Sequence, residues 1–233
     1  MVDEPLLMEW QVAALFRHDQ RGRLLATNEP DPPGGAPRLF LGRTRESNVW
    51  RFRHDLSDDL VRQADRLLAG EPVGRDLTQP PVSLNAICQL LSEQAPVGQI
   101  SMGPAWRFPP HLTMPAGVTM ITAANTDPLR SHFPLSVVEI AARQPYAAIV
   151  RDGVAVAVCF SSRLSPHVAE AGVETLEEFR GQGLAVAVAT AWAMAVDKTG
   201  RLPLYSTGWA NAASRRVAAK LDLMLYGADC SIT

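Results

Sequence analysis

Hydrophobic residues in the first part of the chain recur mostly with helical spacing. Apolar side chains three or four positions apart indicate amphipathic helices, whereas short β-branched or aromatic runs indicate strands. Ser57, followed by Asp58 and Asp59, is typical of a helix start, since its hydroxyl can accept from a free backbone amide. The patterns predict helices over 6–17, 57–69 and 83–94, a helical segment over 129–143 as one helix or two, and strands over 38–42, 48–53 and 99–102.

After Pro145 the pattern changes to strands that alternate with helices. Arg151-Asp152-Gly153 separates two apolar, β-branched runs and favours a hairpin between them. The resulting order, β-β-β-α-β-α-β, implies a mixed sheet covered by helices and hence an α/β (α+β) fold. The strands are predicted over 146–150, 154–161, 168–176, 202–207 and 223–232, and the helices over 184–198 and 211–221.

A glycine-containing segment joins the predicted strand 168–176 to the helix 184–198. It reads Arg180-Gly181-Gln182-Gly183-Leu184-Ala185, and neither GxxxxGK[ST] nor GxGxxG occurs in it. Glycine permits positive φ and close approach of a ligand, and the following helix presents free N–H groups at the positive end of its dipole. These features suit a pyrophosphate, to which Arg180 would add charge-assisted hydrogen bonds. A tight turn without a ligand is the alternative.

The same segment resembles the Q/R-x-x-G-x-G/A motif of the GCN5-related N-acetyltransferases (GNAT). Downstream, 203–207 is similar to the fifth strand of that family, and 211–223 is similar to its N-x-x-S/A…K-L-G-F helix. The resemblance covers 146–233 and is expected to extend back to about 97. It implies the GNAT acyl-CoA N-acyltransferase fold of a bacterial member, with residues 1–95 as an N-terminal α/β extension of unknown role and residues 96–233 as the acetyltransferase domain.

The resemblance also implies acetyl-CoA as cosubstrate and assigns its binding residues. Backbone amides of 182–185 would bind the pyrophosphate, and the backbone of 173–175 would pair with the pantetheine arm where the fourth and fifth strands of the family splay apart. Asn211 and Ser214 would approach from the far side of the cleft. The implied cofactor-binding residues are Val173, Thr175, Arg180, Gly181, Gln182, Gly183, Leu184, Ala185, Asn211 and Ser214.

Two glutamates on the predicted strand 168–176 are candidate bases. Most alkyl amines are protonated at neutral pH, so acetylation needs a group that removes a proton. Glu170 and Glu174 project from one face of the strand, about 13 Å apart, which is too far for a carboxylate pair. A strand-four glutamate often serves as base in the resembled family, which favours Glu170. A solvated or ion-paired carboxylate is the alternative for each.

The chain departs from the family pattern at two positions. The usual acid is a tyrosine seven residues after the asparagine, where this chain has Ala218; Tyr205 and Tyr226 are substitutes in principle, or simply packed aromatics. Asp222 replaces a family glycine, and aspartate tolerates the left-handed conformation. We therefore expect direct transfer of an acetyl group to a primary amine in a ternary complex, with a non-catalytic acyl-CoA-binding regulatory module as the alternative.

Composition limits the binding partners and the cellular compartment that the sequence predicts. A net charge of −2 offers no basic excess for nucleic acid or an anionic membrane, and the longest apolar run, 184–196, is shorter than the about 20 residues of a membrane-spanning helix. The three cysteines form no CxxC pair, so we expect neither a disulfide framework nor a metal site. Because Asp3 and Glu4 make the start acidic, no signal peptide is expected and the protein is predicted to be cytoplasmic.

The acceptor and the role of the N-terminal region stay open. A small-molecule or peptide amine is expected as acceptor, but the sequence does not name it. The N-terminal region could be a second, degenerate copy of the fold, an acceptor-binding lobe or a dimerisation surface, so a homodimer is one of the expectations.

Overall fold

One large mixed sheet organises the chain, whose computed structural model describes residues 2–30, 32–74 and 76–233. Within these residues there are six α-helices: α1 Glu4–Leu15, α2 Asp58–Ala69, α3 Leu84–Ser92, α4 Pro134–Val138, α5 Leu184–Asp197 and α6 Ala212–Lys220. The strands are β1 Phe16–His18, β2 Leu24–Thr27, β3 Leu39–Arg43, β4 Asn48–Phe52, β5 Ile100–Arg107, β6 Thr119–Ile121, β7 Tyr146–Arg151, β8 Val154–Leu164, β9 Val168–Thr175, β10 Leu202–Ser206 and β11 Met224–Ile232.

The large sheet has the strand order β4-β3-β11-β5-β10-β9-β8-β7-β6, and β1 and β2 form a separate small sheet. All neighbours in the large sheet are antiparallel except β9 and β10, so the predicted mixed sheet is confirmed. Strands from both sides of residue 95 belong to it, and β5 lies between β10 and β11. The division into 1–95 and 96–233 stays a prediction.

The parallel pair β9–β10 is hydrogen-bonded along only part of its length. Leu202 to Leu204 pair with Val168 to Glu170, and the register ends there. Beyond that point the two strands diverge, and the facing edges of 171–175 and 205–206 are not paired with each other. The pair therefore opens like a V, with Glu170 and Leu204 at its apex.

Helices cover both faces of the sheet. Successive side chains of a strand point to opposite faces of the sheet. Val168 packs in the hydrophobic cluster that contains α1 residues and Ala169 in the one that contains α5 residues, so these two helices lie on opposite faces. Phe40 packs with α1, whereas Leu39 packs with α2 and α3. The α2–α3 pair therefore shares a face with α5, and we call the opposite one the α1 face.

Local sequence signals explain where several elements begin and turn. Ser57 caps α2 as predicted, because its Oγ accepts from the backbone amide of Leu60 at 3.2 Å. The hairpin β7–β8 turns at Asp152 and Gly153, both with positive φ. Asp222 has φ +52°, which confirms that aspartate can hold the left-handed position at the end of α6.

The structure corrects the prediction at a few places. Within 129–143 only Pro134–Val138 is α-helical, preceded by a 3-10 turn at Asp127–Leu129, because proline has no amide and fits only the first turn of a helix. The strand predicted at 99–102 continues to Arg107. Strands β1, β2 and β6 were not predicted, since three or four residues are too few to show an alternating pattern.

Candidate active site

A cleft of about 590 Å³ opens where β9 and β10 diverge. We call it the β9–β10 cleft. Its walls are the end of β9, the loop to α5, the first turn of α5, Tyr205 on β10 and one face of α6. Of the ten residues predicted to bind the cofactor, Gln182 does not line the cleft; the lining includes the other nine, Val173, Thr175, Arg180, Gly181, Gly183, Leu184, Ala185, Asn211 and Ser214.

The loop before α5 presents backbone amides to the cleft. Gly181 and Gly183 have φ of +79° and +80°, a conformation that favours glycine, and a Cβ atom added at either position would meet no atom within 4 Å. Gly183 is the N-cap of α5, without a side-chain cap, and the first helical hydrogen bond runs from Ala187 N to Gly183 O. The amides of 184–186 therefore have no helical partner, and the helix dipole makes this end attractive to anions.

The start of α6 forms part of the opposite wall. Asn211 Oδ1 accepts from the backbone amide of Ser214 at 3.0 Å, so the predicted cofactor ligand Asn211 also caps the helix. Tyr205 lies beside Ser214 and is only 4% exposed. Burial raises the pKa of Tyr205, and the adjacent Ser214 hydroxyl opposes that shift in part. The phenol therefore keeps its proton at neutral pH and stays a hydrogen-bond donor.

Two cations on the cleft wall were missed by the sequence reasoning. Arg216 and Lys220 line the cleft together with Arg180. Their four-residue spacing is visible in the sequence and places both on one face of a helix. Only the structure shows that this is the face that α6 turns toward the cleft.

Glu170 lies at the apex of the V, on the α1 face, and is 2% exposed. Its Oε2 accepts a 3.1 Å hydrogen bond from the Ser206 hydroxyl, and its Oε1 has no hydrogen-bond partner among the described residues. Burial raises the pKa of Glu170 to about 7; the Ser206 bond opposes the shift, and the nearby Asp229 adds to it. A buried carboxyl group that titrates near neutral pH suits a general base.

Glu174, the second predicted base, occupies a different environment. It is exposed and lines the β9–β10 cleft near the end of β9, opposite Val158 on β8. The structure therefore separates the two glutamates: Glu170 is buried at the closed end of the V, and Glu174 lies at its open side.

A buried polar chain links α1 to the sheet on the face that carries Glu170. Tyr226 OH donates to Gln11 Oε1 at 2.8 Å, and Gln11 Nε2 donates to Asp229 Oδ2 at 3.4 Å. Gln11 is fully buried. Burial raises the pKa of Asp229 to about 7, and the hydrogen bond from Gln11 opposes the shift. Sequence reasoning missed this chain because a glutamine on an amphipathic helix usually faces solvent.

Neither a metal centre nor a membrane span was found in the part of the chain that the structure describes. Across 2–30, 32–74 and 76–233 no three side chains among His, Cys, Asp and Glu are grouped to hold an ion. Over the same residues, no helix combines the length and apolar character needed to cross a bilayer.

Comparison with known proteins gives a family match over part of the chain. The sequence model of the family described as GNAT acetyltransferase matches residues 147–225. This segment holds β8, β9, α5, β10 and α6, and hence all walls of the β9–β10 cleft. No curated protein matches the chain.

Solved structures with a similar fold are distant in sequence. A GCN5-related N-acetyltransferase-like protein from Streptococcus suis is 18% identical with a TM-score of 0.50, and the match covers 85% of each chain. An acetyltransferase of the GNAT family from Colwellia psychrerythraea is 11% identical with a TM-score of 0.49, over 98% of this chain and 94% of that one. A GCN5-related N-acetyltransferase from Sphaerobacter thermophilus is 15% identical with a TM-score of 0.44. The match covers 64% of this chain and 56% of that one.

At these identities the structural likeness concerns the fold alone. The family match over 147–225 is the stronger statement, since it includes the glycine loop and both strands of the V. Residues 147–225 thus form a GNAT acetyltransferase domain, which indicates an acyltransferase.

Proposed function

We propose that this protein moves the acetyl group of acetyl-CoA to a primary amine by direct transfer in a ternary complex. The observation that carries the proposal is the uncapped N-terminus of α5, which opens into the cleft between the diverging strands β9 and β10. A helix end with free amides suits the pyrophosphate, and a free strand edge suits the amide-containing pantetheine arm.

The residues around the cleft fit such a cosubstrate. The amides of 182–185 would hold the pyrophosphate with help from Arg180, and the unpaired edge of 173–175 would receive the pantetheine arm. Arg180 Nε donates to Thr175 O at 3.4 Å, which holds the guanidinium against the loop. The thioester supplies an activated acetyl group at the apex of the V.

Glu170 is the proposed general base. Its unpartnered Oε1 would accept the proton of the acceptor ammonium, which leaves a neutral amine that can attack the thioester carbon. A new C–N bond then forms as the C–S bond breaks, and the nitrogen releases its second proton to solvent, from which Tyr205 regains the proton that it donates. Tyr205, whose phenol stays protonated in the cleft wall, is the proposed donor of a proton to the leaving sulfur in place of the tyrosine that Ala218 replaces.

The acceptor is proposed to be a small-molecule or peptide amine that approaches as a cation. Glu170 and Asp229 lie on the α1 face of the sheet, and Glu174 lies at the open side of the V. Carboxylates attract an ammonium and raise its local concentration. A cytoplasmic location and a homodimer stay predictions from the sequence.

A thiol-release assay tests the proposal. Purified protein is mixed with acetyl-CoA and a panel of primary amines, and free CoA thiol is followed with a chromogenic disulfide, with amine-free and enzyme-free reactions as controls. Steady amine-dependent release supports the proposal. CoA binding by calorimetry without release for any amine would instead indicate the non-catalytic module, which the replacement of the usual acid by Ala218 favours.

A further inference from the structure

A carboxyl group that the proposed mechanism does not use lies on the same face of the sheet as Glu170. Asp229 on β11 accepts a 3.4 Å hydrogen bond from Gln11 Nε2 of α1, and Tyr226 OH donates to Oε1 of the same glutamine at 2.8 Å. Asp229 is only partly exposed, and it forms no salt bridge with any residue that the structure describes. A recessed carboxylate without a cation lowers the stability of a fold, so its presence is better explained by function than by packing.

No side chain of β5 stands between Asp229 and the end of β10. Strand β5 lies between β11 and β10, and its residue opposite Asp229 is Gly103. Ala105 packs in the cluster that contains α1 residues, so Gly103, two positions earlier, also faces α1. A Cβ atom at Gly103 would collide with the carbonyl oxygen of Thr207, which follows directly after β10. The glycine therefore lets the end of β10, whose serine binds Glu170, come close to Asp229 on the α1 face.

Asp229 is the negatively charged neighbour of Glu170 in this cluster. Among the described residues, the other charged or titratable groups near Glu170 are Tyr226 on β11 and Arg163 on β8, while α1 contributes the neutral amide. Arg163 lies opposite Glu170 in the register of β8 and β9 and is ion-paired with Glu29. The hydrogen bond from α1 favours the ionised form of Asp229, so a second negative charge is held near the proposed base.

We infer that Asp229 is a positioning residue for the reaction: its charge, held in place by Gln11, strengthens the attraction of Glu170 for the proton of the acceptor amine. A carboxylate next to a second carboxylate binds a proton more tightly. A base with a higher proton affinity removes the proton of an ammonium more readily. Helix α1 thereby contributes to catalysis, although none of its residues lines the β9–β10 cleft. The inference rests on the proposed function, since it takes Glu170 as the base.

The pH dependence of kcat/KM with one amine tests the inference on the full chain. The ionisation of the amine is the same for every variant, so differences between variants report on the enzyme. In Asp229→Asn the neutral amide can still accept from Gln11, and the midpoint of the pH profile should move about half a pH unit or more to the acid side. We expect kcat/KM to be about two- to threefold below that of the wild-type protein at pH 8.5 and to reach or exceed it at pH 5.5. A loss caused by misplaced groups alone would be the same at every pH.

Three further variants separate charge from packing. Asp229→Glu keeps the charge and should keep the midpoint near the wild-type value. Tyr226→Phe removes the hydroxyl bonded to Gln11 but leaves the carboxylate, so it should lower stability without moving the midpoint. Asp229→Ser is neutral and smaller, and it should shift the midpoint as Asp229→Asn does, which keeps the test decisive if circular dichroism shows Asp229→Asn unfolded.

The outcomes separate this inference from the proposed function. If the wild-type protein acetylates an amine but the folded neutral variants keep its midpoint, Asp229 does not act on the base and the inference is wrong while the proposed function stands. The same holds if Asp229→Glu or Tyr226→Phe moves the midpoint as far as Asp229→Asn. If the folded wild-type protein turns over no amine, the proposed function fails and the inference fails with it.

Discussion

The hydroxyl of Ser206 donates a 3.1 Å hydrogen bond to Glu170 Oε2 at the point where β9 and β10 part. This bond occupies one oxygen of the carboxyl group and fixes its orientation, while Oε1 is left without a partner among the described residues. Glu170 is not among the residues that line the β9–β10 cleft. Buried polar atoms are nearly always hydrogen-bonded, so its unpartnered oxygen at the apex of the V supports the proposal that it meets the acceptor amine. In our proposal Ser206 therefore orients the base, and the acceptor amine reaches Oε1 where the strands part.

Replacement of Glu170 by glutamine should abolish most of the activity. Glutamine keeps the size and the bond to Ser206 but cannot take up a proton, so we expect kcat/KM to fall about 100-fold or more. In the wild-type protein kcat/KM should rise with pH around a midpoint near 7, as Glu170 ionises, and the variant should lack this step. Steady-state kinetics from pH 5.5 to 8.5 measure both.

The variant Glu174→Gln is the matched comparison. Glu174 is exposed at the open side of the cleft, and its replacement should cost far less than that of Glu170. A larger loss in Glu174→Gln, with the pH step lost as well, would transfer the role of base to Glu174.

The same carboxyl group should make stability depend on pH. The pKa of Glu170 is about 7 in the folded protein against an ordinary value of 4.5, so the folded state holds the proton more tightly than the unfolded state. This stabilisation is complete below pH 4.5 and is lost as the pH rises through 7. By linkage the loss is about 3 kcal/mol.

Urea denaturation at pH 5 and pH 8 measures this effect. The free energy of unfolding of Glu170→Gln should exceed that of the wild-type protein at pH 8 and approach it at pH 5. The contributions of other groups cancel in the difference between the two proteins, except that the charge of Asp229 acts on Glu170 and moves the midpoint. A difference that does not vary with pH would show that Glu170 titrates normally.

Substitution of Gly183 by alanine should weaken CoA binding more than it weakens the fold. The left-handed φ of +80° costs an alanine about 1 kcal/mol, and the added methyl group would stand in open space at a position that lines the cleft. Gly200 has the same φ, also with open space around it, but lies at the far end of α5. Calorimetry with CoA should therefore show a loss in Gly183→Ala and none in Gly200→Ala, with similar loss of stability in both. Equal affinities in the two variants would place the ligand away from this loop.

Removal of the Gln11 amide should destabilise the link between α1 and the sheet. Gln11→Leu leaves Tyr226 OH and Asp229 without their hydrogen-bond partner, and a buried polar group without a partner costs about 1 to 3 kcal/mol. The double variant Gln11→Leu/Tyr226→Phe should recover part of the loss, because it also removes the stranded hydroxyl. Urea denaturation at one pH measures the free energy of unfolding of each variant. If the loss in the double variant equals the sum of the losses in the two single variants, the two side chains are not coupled.

The sequence predicts contiguous features far better than it predicts contacts between distant segments. The glycine loop and the N-terminus of α5 were predictable because six adjacent residues, 180–185, determine the local backbone conformation. The bond between Gln11 and Asp229 joins residues 218 positions apart, and no local pattern marks it. The insertion of β5 between β10 and β11 was equally invisible, since strand order depends on long-range packing and not on the alternation within each strand.

Replacement of Tyr205 by phenylalanine should slow turnover with little change in the binding of acetyl-CoA. The ring packs against Trp106 with centroids 6.0 Å apart, and phenylalanine keeps that packing, so the variant loses only the hydroxyl that lies in the cleft wall beside Ser214. If this hydroxyl protonates the leaving sulfur, kcat should fall about 10- to 100-fold. A thioester with a more acidic thiol should restore much of the rate, because such a leaving group needs less help from an acid.

Tyr226→Phe removes a hydroxyl that is bonded to Gln11 and lies outside the lining of the cleft, so its kcat should stay near that of the wild-type protein even if its stability drops. An unchanged kcat in Tyr205→Phe would mean that the thiolate leaves without a proton from the enzyme.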